Sequence, residues 1–183
     1  MKIGILRIGQ VDSYIVNRIH ENLQMIFPNT KCALIDDMLP IAEIAFEIAR
    51  EQYRSDVILA KVQSFAAKEK GVDRVLGIVD LDLFVPNLNF VFGEAECPGR
   101  AALISLWRLR PEFYGKRANT EVFLERSTKE AVHELGHTLG LTHCTNVFCV
   151  MFFSNSIFDS DRKRSFFCNK CYLEAEVVIN NLR

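Results

Sequence analysis

Three histidines in the last third of the chain have the spacing of ligands to a single metal ion. His133 and His137 are four residues apart, and on an α-helix that separation puts two side chains on one face, one turn apart. Zinc takes its ligands in a tetrahedron, so a third ligand must approach from another direction. Gly140 permits the helix to end and the chain to reverse, which brings His143 back towards the ion. Three protein ligands leave a fourth position for water, an arrangement typical of catalytic zinc.

Glu134 directly follows the first of these histidines and is predicted to be a general base. Its side chain leaves the helix about 100° away from that of His133, so we do not expect it to be a fourth ligand. It is placed instead to take a proton from a water whose pKa zinc lowers to about 7. The residues therefore predict hydrolysis at a zinc site of the metallopeptidase type. The remaining histidine, His20, is interpreted as incidental.

The cysteines predict a second, structural zinc site. A C-x4-C pair is followed by a C-x2-C pair, and two thiol pairs of this kind are what a closed four-sulfur site requires; they are Cys144, Cys149, Cys168 and Cys171. Two disulfides or unrelated free thiols are the alternatives. Because Cys144 adjoins His143, one turn of the chain would serve both metals. The isolated Cys32 and Cys97 are predicted to be small buried apolar residues.

The run from His133 to Cys171 resembles the archaemetzincin family of metzincin zinc peptidases. It combines the metzincin pattern His-Glu-x-x-His-x-x-Gly-x-x-His with the adjoining cysteine, Met151 and the C-x2-C pair. The resemblance implies that the three histidines hold a catalytic zinc, that Glu134 is the base and that the four cysteines hold a structural zinc. It also implies that Met151 forms the Met-turn, an apolar floor beneath the imidazoles. Some metzincins have a tyrosine two residues after this methionine, where this chain has Phe153.

The fold implied by the resemblance is α+β and zincin-like: a twisted mixed β-sheet with the active-site helix, then a small irregular C-terminal part stapled by zinc. We expect one domain over residues 1–183, with the sheet and helices in about 1–140 and the Met-turn and structural zinc in 141–183. The resemblance also places an edge strand around residues 90–95, against which an extended peptide would pair.

The elements before the motif agree with a mixed sheet that carries helices on its faces. Alternating or β-rich runs predict strands at residues 2–8, 31–35, 74–79, 88–92 and 101–107. Helices are predicted from Asp12 or Ser13 to about Phe27 and from Ser55 to a point before Gly71. Residues 41–53 fit a helix and a bent strand equally well.

The motif helix is predicted to start at Ser127 or Thr128, since Glu130 stands three residues after Ser127 and completes a capping box. It is expected to stop near Gly140. Beyond it we expect irregular chain until a last helix at about residues 172–182.

Composition argues against nucleic-acid and membrane partners. The net charge is −1, and no run approaches the roughly 18 apolar residues of a membrane span. The N-terminus has no continuous apolar stretch of the signal-peptide kind. The single basic cluster, Arg162-Lys163-Arg164, is interpreted as a solvated loop. We therefore expect a soluble cytoplasmic monomer that acts on a peptide or protein, as an endopeptidase or an aminopeptidase.

Two other functions are weighed against the peptidase. One is a zinc-dependent ribonuclease of a kind that places three histidines at the same offsets but generally lacks the glutamate after the first. The other is a non-catalytic, zinc-stabilised peptide-binding protein. Glu134 argues against both, because neither has a use for a carboxylate base beside the ion.

Overall fold

The computed structural model describes residues 1–27 and 29–182, and its centre is a five-stranded β-sheet. The strands are β1 (Lys2–Ile8), β2 (Lys31–Leu39), β3 (Phe46–Glu47), β4 (Gln52–Arg54), β5 (Arg74–Val79), β6 (Leu83–Phe84), β7 (Gly93–Ala95) and β8 (Ala101–Ser105). The helices are α1 (Ser13–Ile26), α2 (Ser55–Lys68), α3 (Thr120–Thr138), α4 (Ile157–Arg162) and α5 (Asn169–Asn181). Across these two described stretches, no helix combines the length and the apolar character needed to cross a membrane.

The main sheet has the strand order β2-β1-β5-β8-β7 and is mixed, as predicted. Its first four strands are parallel, and β7 pairs antiparallel with β8 at the edge. Every residue of β5 and β8 is buried, because helices cover both faces of the sheet. Leu76 and Ile78 of β5 pack with α1 and α3, whereas Val75 and Val79 pack with α2 on the other face. A smaller sheet of order β3-β4-β6 lies beside it.

The predicted strand at residues 88–92 is wrong, and side chains explain why. Arg50 donates to the carbonyls of Leu88 and Asn89, and Gln52 also donates to that of Asn89. Carbonyls that a strand would use for pairing are therefore bonded to side chains, and only the single bridge Leu83–Val91 forms. The edge strand β7 begins at Gly93, within the range that the resemblance indicated.

The motif helix α3 starts well before the predicted capping box. Asn119 is its N-cap, and the Asn119 side chain accepts a hydrogen bond from the Val122 N–H. Ser127 and Thr128 are buried inside the helix, and the Ser127 hydroxyl donates to the Phe123 carbonyl one turn earlier. The predicted end is confirmed, since α3 stops at Thr138 and Gly140 has a φ of +86°.

The segment after α3 is more ordered than predicted. Helix α4 lies within it, and the Arg126 guanidinium of α3 forms two bonds, of 2.7 and 2.8 Å, with the Asp161 carboxylate of α4. Lys129 donates to the Asp161 carbonyl as well. Lys163 follows α4 and its side chain is 0% exposed, so the prediction of a solvated loop is wrong there. The last helix begins at Asn169, slightly earlier than expected.

Candidate metal centres and cleft

Helix α3 and the turn after it bring the three motif histidines together. His133 and His137 leave the same face of α3, and the reversal at Gly140 returns His143 to them. The ligand nitrogens of the three imidazoles all lie within 4.8 Å of one another. The structure therefore brings together the three histidines that the sequence predicted to share one metal ion.

For two of the three imidazoles, a backbone carbonyl determines which ring nitrogen faces the other histidines. His133 Nδ1 is 2.8 Å from the Val150 carbonyl oxygen, and His137 Nδ1 is 2.7 Å from that of Leu141. A carbonyl can only accept, so each Nδ1 carries the hydrogen and each Nε2 presents a lone pair. Carbonyl-held imidazoles of this kind are characteristic of zinc ligands.

The two Nε2 atoms lie at the separation that zinc requires. They are 3.2 Å apart, and a tetrahedral ion about 2.0 Å from each nitrogen would set them about 3.3 Å apart. Two lone pairs facing each other at this distance repel unless a cation lies between them. Burial lowers the pKa of all three imidazoles, and the charge of Lys163 lowers that of His133 further. The neutral rings suit a metal, and the site fits zinc.

Glu134 is buried in the same cleft and lies against the edge strand. A Cβ atom at Gly93 would be 2.6 Å from Glu134 Cγ, so the glycine leaves the space that this side chain fills. Burial, followed by the charge of Glu130, holds the pKa of Glu134 well above its usual range, and Lys163 opposes that shift. A dication at the three imidazoles would lower this pKa again.

Met151 lies where a floor beneath the imidazoles would be. It is fully buried, and its thioether packs directly against Gly136, between the two histidines of α3. The Met151 carbonyl accepts from the Cys144 N–H at 2.9 Å, which ties the turn after His143 to this segment.

The imidazoles and Glu134 open into a cleft with a cavity volume of about 580 Å³. The edge strand β7 forms one wall, and Phe153 and its neighbours form another. The Phe153 ring lies 4.8 Å from that of His143. Cys97 also lines the cleft and is exposed, so the prediction that it is a buried apolar residue is wrong. Cys32 is half-buried and packs against the hydrophobic core, in partial agreement with its prediction.

The sequence analysis missed two residues of this cleft. Glu130 and Lys163 line it, and their side chains are 6% and 0% exposed, with 3.8 Å between Glu130 Oε2 and Lys163 Nζ. The sequence pattern predicts Glu130 as part of a helix cap and Lys163 as part of a solvated basic cluster. Glu130 lies one turn before Glu134 in α3, and Lys163 directly follows α4. The two are brought together only by the packing of α4 on α3, which the sequence did not predict.

The four clustered cysteines form a second group of candidate ligands. They are free thiols, and their sulfurs lie within 4.8 Å of one another. Cys144 Sγ and Cys168 Sγ are 3.8 Å apart, which is the separation that Zn–S bonds of about 2.3 Å give in a tetrahedron. The Cys168 N–H donates to Cys149 Sγ at 3.2 Å. The group fits a four-sulfur zinc site.

Two cysteines of this group show opposite tendencies to ionise. For Cys168, burial opposes ionisation, but hydrogen bonds from Cys171 and the other thiols outweigh it and lower the pKa to about 7. Burial and the nearby Cys149 raise the pKa of Cys171. Thiols this close to one another ionise together only when a cation is shared among them.

Comparisons with known proteins cover nearly the whole chain. Residues 8–176 match peptidase family M54. The archaemetzincin of Methanocaldococcus jannaschii is 44% identical over 172 residues, 93% of this chain and 90% of that protein. The structure of the archaemetzincin from Methanopyrus kandleri is 38% identical, with a TM-score of 0.81, over 100% of this chain and 95% of that one. That of the archaemetzincin from Archaeoglobus fulgidus, a malonate complex, is 37% identical, with a TM-score of 0.79, over 95% and 99%.

Proposed function

This chain belongs to peptidase family M54, and from that membership we propose that it cleaves peptide bonds with a zinc ion on His133, His137 and His143 and with Glu134 as the general base. The family makes it a zinc metallopeptidase that acts on peptides. The related structures confirm the predicted α+β, zincin-like fold. The ligand set, the base and the number of zinc ions are our proposal.

The proposed chemistry divides between the ion and Glu134. Zinc on the three imidazoles would supply a Lewis acid that polarises the scissile carbonyl and lowers the pKa of a water molecule in the cleft. Glu134 would take the proton of the attacking water on a carboxylate oxygen and pass it to the departing amine nitrogen. Because residue 93 is a glycine, the Glu134 side chain has room to lie against the edge strand, in the cleft where both transfers would occur.

The edge strand gives the substrate a place to bind. Within the described residues, β7 pairs with β8 on one side, and its other side borders the cleft. An extended peptide would add to this edge through backbone hydrogen bonds, which hold the chain without reading its side chains. The peptide would then cross the imidazoles and Glu134.

The four-cysteine group is proposed to hold a second, structural zinc. It closes the segment that contains the Val150 carbonyl, the acceptor that orients His133. The second ion would therefore keep a catalytic ligand in position without contacting substrate.

The carbonyl contacts of His133 and His137 are the strongest support for this function. They leave two bare nitrogens 3.2 Å apart beside a buried carboxylate, in a cleft large enough for a peptide. A site without a metal has no need of that geometry.

Replacement of Glu134 by glutamine tests the proposal. Glutamine keeps the shape of the side chain but cannot take a proton, so we expect kcat to fall by about 10²- to 10⁴-fold while both zinc ions stay bound. The measurement is cleavage of a broad peptide library by the zinc-loaded protein and by Glu134→Gln, with zinc content matched by elemental analysis.

Equal cleavage by both proteins would rule out Glu134 as the base. Two bound zinc ions and no cleavage by either protein would favour the alternative of a zinc-stabilised peptide-binding protein.

A further inference from the structure

The three motif imidazoles are not held alike. A backbone carbonyl bonds Nδ1 of His133 and of His137, at 2.8 and 2.7 Å. His143 is the exposed member of the three, and within residues 1–27 and 29–182 its side chain makes no hydrogen bond. Zinc-binding histidines are normally oriented by a hydrogen bond from their second ring nitrogen. A water can accept from an exposed imidazole but does not restrain it, so the third ligand needs another support.

The ring of Phe153 contacts the imidazole of His143. The two ring centroids are 4.8 Å apart, and the ring planes meet at 54°. Aromatic rings attract one another at centroid separations of about 4.5 to 7 Å. The imidazoles of His133 and His137 lie 5.4 and 4.9 Å from that of His143, but they are ligands that converge on the same point. Phe153 is therefore the side chain that is placed to support the third ligand from outside the ligand set.

The backbone holds Phe153 beside this histidine. The N–H of Cys144, the residue after His143, donates to the Met151 carbonyl at 2.9 Å. A second bond of 2.9 Å, from the Phe152 N–H to the Cys149 carbonyl, closes a turn in the same segment. Met151 is fully buried and anchors this segment in the core. Phe153 is thus carried on a segment that is tied to the histidine turn, and its ring, 41% exposed, lies on the wall of the cleft.

We propose that Phe153 is a positioning residue for the third zinc ligand, and that its ring holds the His143 imidazole in the orientation that binds the ion. This inference rests on the ligand set of the proposed function. An exposed imidazole without support samples several rotamers and loses that freedom when it binds a metal. The ring of Phe153 restricts those rotamers beforehand, so less conformational entropy is lost on binding.

Two other roles for an exposed phenylalanine in this position make different predictions. A side chain that contacts only the substrate would leave zinc binding unchanged when it is removed. A side chain that only stabilises the segment would weaken both metal sites together, because Cys144 and Cys149 belong to the same segment. Support of His143 by Phe153 predicts a loss that is confined to the histidine site.

Release of zinc to a chromogenic chelator tests the proposal without requiring turnover. We expect Phe153→Ala to release the histidine-bound zinc about three- to tenfold faster than the wild type, as the loss of one aromatic contact implies. Phe153→Leu keeps apolar volume without a flat ring, and its rate should lie closer to that of Phe153→Ala. The zinc on the histidines is identified as the phase of release that is missing in His133→Ala.

Phe158→Ala is the matched control for these variants. Phe158 is 69% exposed and lies in α4, where its ring is near Lys116 and contacts none of the histidines. A wild-type rate of release in Phe153→Ala, or its full restoration by leucine, would overturn the proposal. Equal acceleration of release from the four cysteines would assign Phe153 to the stability of the segment and would overturn it as well.

A spectroscopic measurement reports on the orientation of His143 directly. Cobalt(II) replaces the histidine-bound zinc while zinc is kept on the cysteines, and its visible absorption depends on the geometry of its ligands. We expect the spectrum of Phe153→Ala to differ from that of the wild type and that of Phe158→Ala to match it. Identical spectra in all three proteins would show that His143 takes the same orientation without Phe153, which contradicts the proposal.

The inference and the proposed function fail in distinguishable ways. Zinc on the histidines and cleavage that is lost in Glu134→Gln, with wild-type zinc release in Phe153→Ala, would keep the peptidase and remove the role of Phe153. A wild-type protein that binds no zinc at the histidines would remove the proposed ligand set, and the role of Phe153 with it.

Discussion

Glu134 depends on the residue opposite it as much as on its own position in α3. A Cβ at position 93 would lie 2.6 Å from Glu134 Cγ and 2.7 Å from the Leu103 carbonyl oxygen, so the glutamate cannot clear the clash alone. We expect Gly93→Ala to displace the carboxylate and lower kcat/KM roughly 100-fold. The zinc content should not change, because no zinc ligand touches this position.

Steady-state kinetics together with zinc analysis check this expectation. Gly71→Ala is the control, since Gly71 precedes β5, outside the cleft, and meets only the flexible side chain of Glu69. Wild-type kinetics in Gly93→Ala would show that the base does not need this contact.

At the residue scale, the site residues that could be predicted from the sequence are those of rare types, histidine and cysteine. Three of four histidines and four of six cysteines fall at ligand offsets, and the structure brings each set together. Glu130 and Lys163 are common surface residues by type, and their sequence neighbours suggest a helix cap and a solvated loop. Only the docking of α4 on α3 buries them, and that contact depends on ion pairs between residues 126 and 161 that no local pattern indicates.

The turn between α3 and α4 belongs to both candidate metal sites. His143 and Cys144 are adjacent in it, and the Val150 carbonyl that orients His133 follows Cys149 directly. We expect Cys171→Ser to reduce the bound zinc from two ions to one, and to weaken binding of the remaining ion by about 10- to 100-fold, because its ligands lose their support.

Competition with a chromogenic chelator measures both numbers. Cys32→Ser is the matched control, since Cys32 is half-buried and outside the cluster. A remaining zinc bound as tightly as in the wild type would mean that the two sites are independent.

At the element scale, strands β1 and β5 were predicted with their observed bounds because their apolar runs fit a buried sheet. Two predictions failed where side-chain hydrogen bonds to the backbone decide the local structure. The strand expected at residues 88–92 is absent because Arg50 and Gln52 take its carbonyls, and α3 is longer because Asn119, not Ser127, caps it. The bonds from Arg50 and Gln52 reach across 37 to 39 residues and leave no periodic signal in a sequence. The Asn119 cap is local, but Ser127 offers an equally good capping residue type further along the chain.

At the scale of the whole molecule, the free energy of unfolding of the metal-free protein should depend on pH through the three motif histidines and Glu134. Burial lowers the pKa of the three motif histidines from their ordinary 6.5. Their contribution to the free energy of unfolding is complete above that value and is lost as the pH falls from 6.5 through the folded values, because the unfolded chain takes up protons that the folded chain refuses. Three imidazoles therefore destabilise the metal-free protein in mild acid.

Glu134 acts in the opposite direction. Its folded pKa is raised from 4.5, so its contribution is present at low pH and is lost as the pH rises through the folded value. One carboxyl opposes three imidazoles, so stability should still fall between about pH 6.5 and pH 5, and it should fall more steeply in Glu134→Gln. Urea unfolding of the metal-free proteins measures both slopes, and a slope unaffected by the substitution would contradict the assigned shift.

The order of the ligands along the chain has a consequence for synthesis. A ribosome makes α3, with two histidines and the base, before it makes Lys163, and it makes Cys168 and Cys171 later still. A nascent chain that ends before residue 168 lacks two of the four sulfurs, and one that ends before residue 171 still lacks the last of them. Until then the segment that carries the Val150 carbonyl, which orients His133, is not closed by the complete sulfur group. Full affinity of the three histidines for zinc would thus arise only after translation has passed residue 171, and a partly made chain would hold the catalytic ion more weakly than the finished protein.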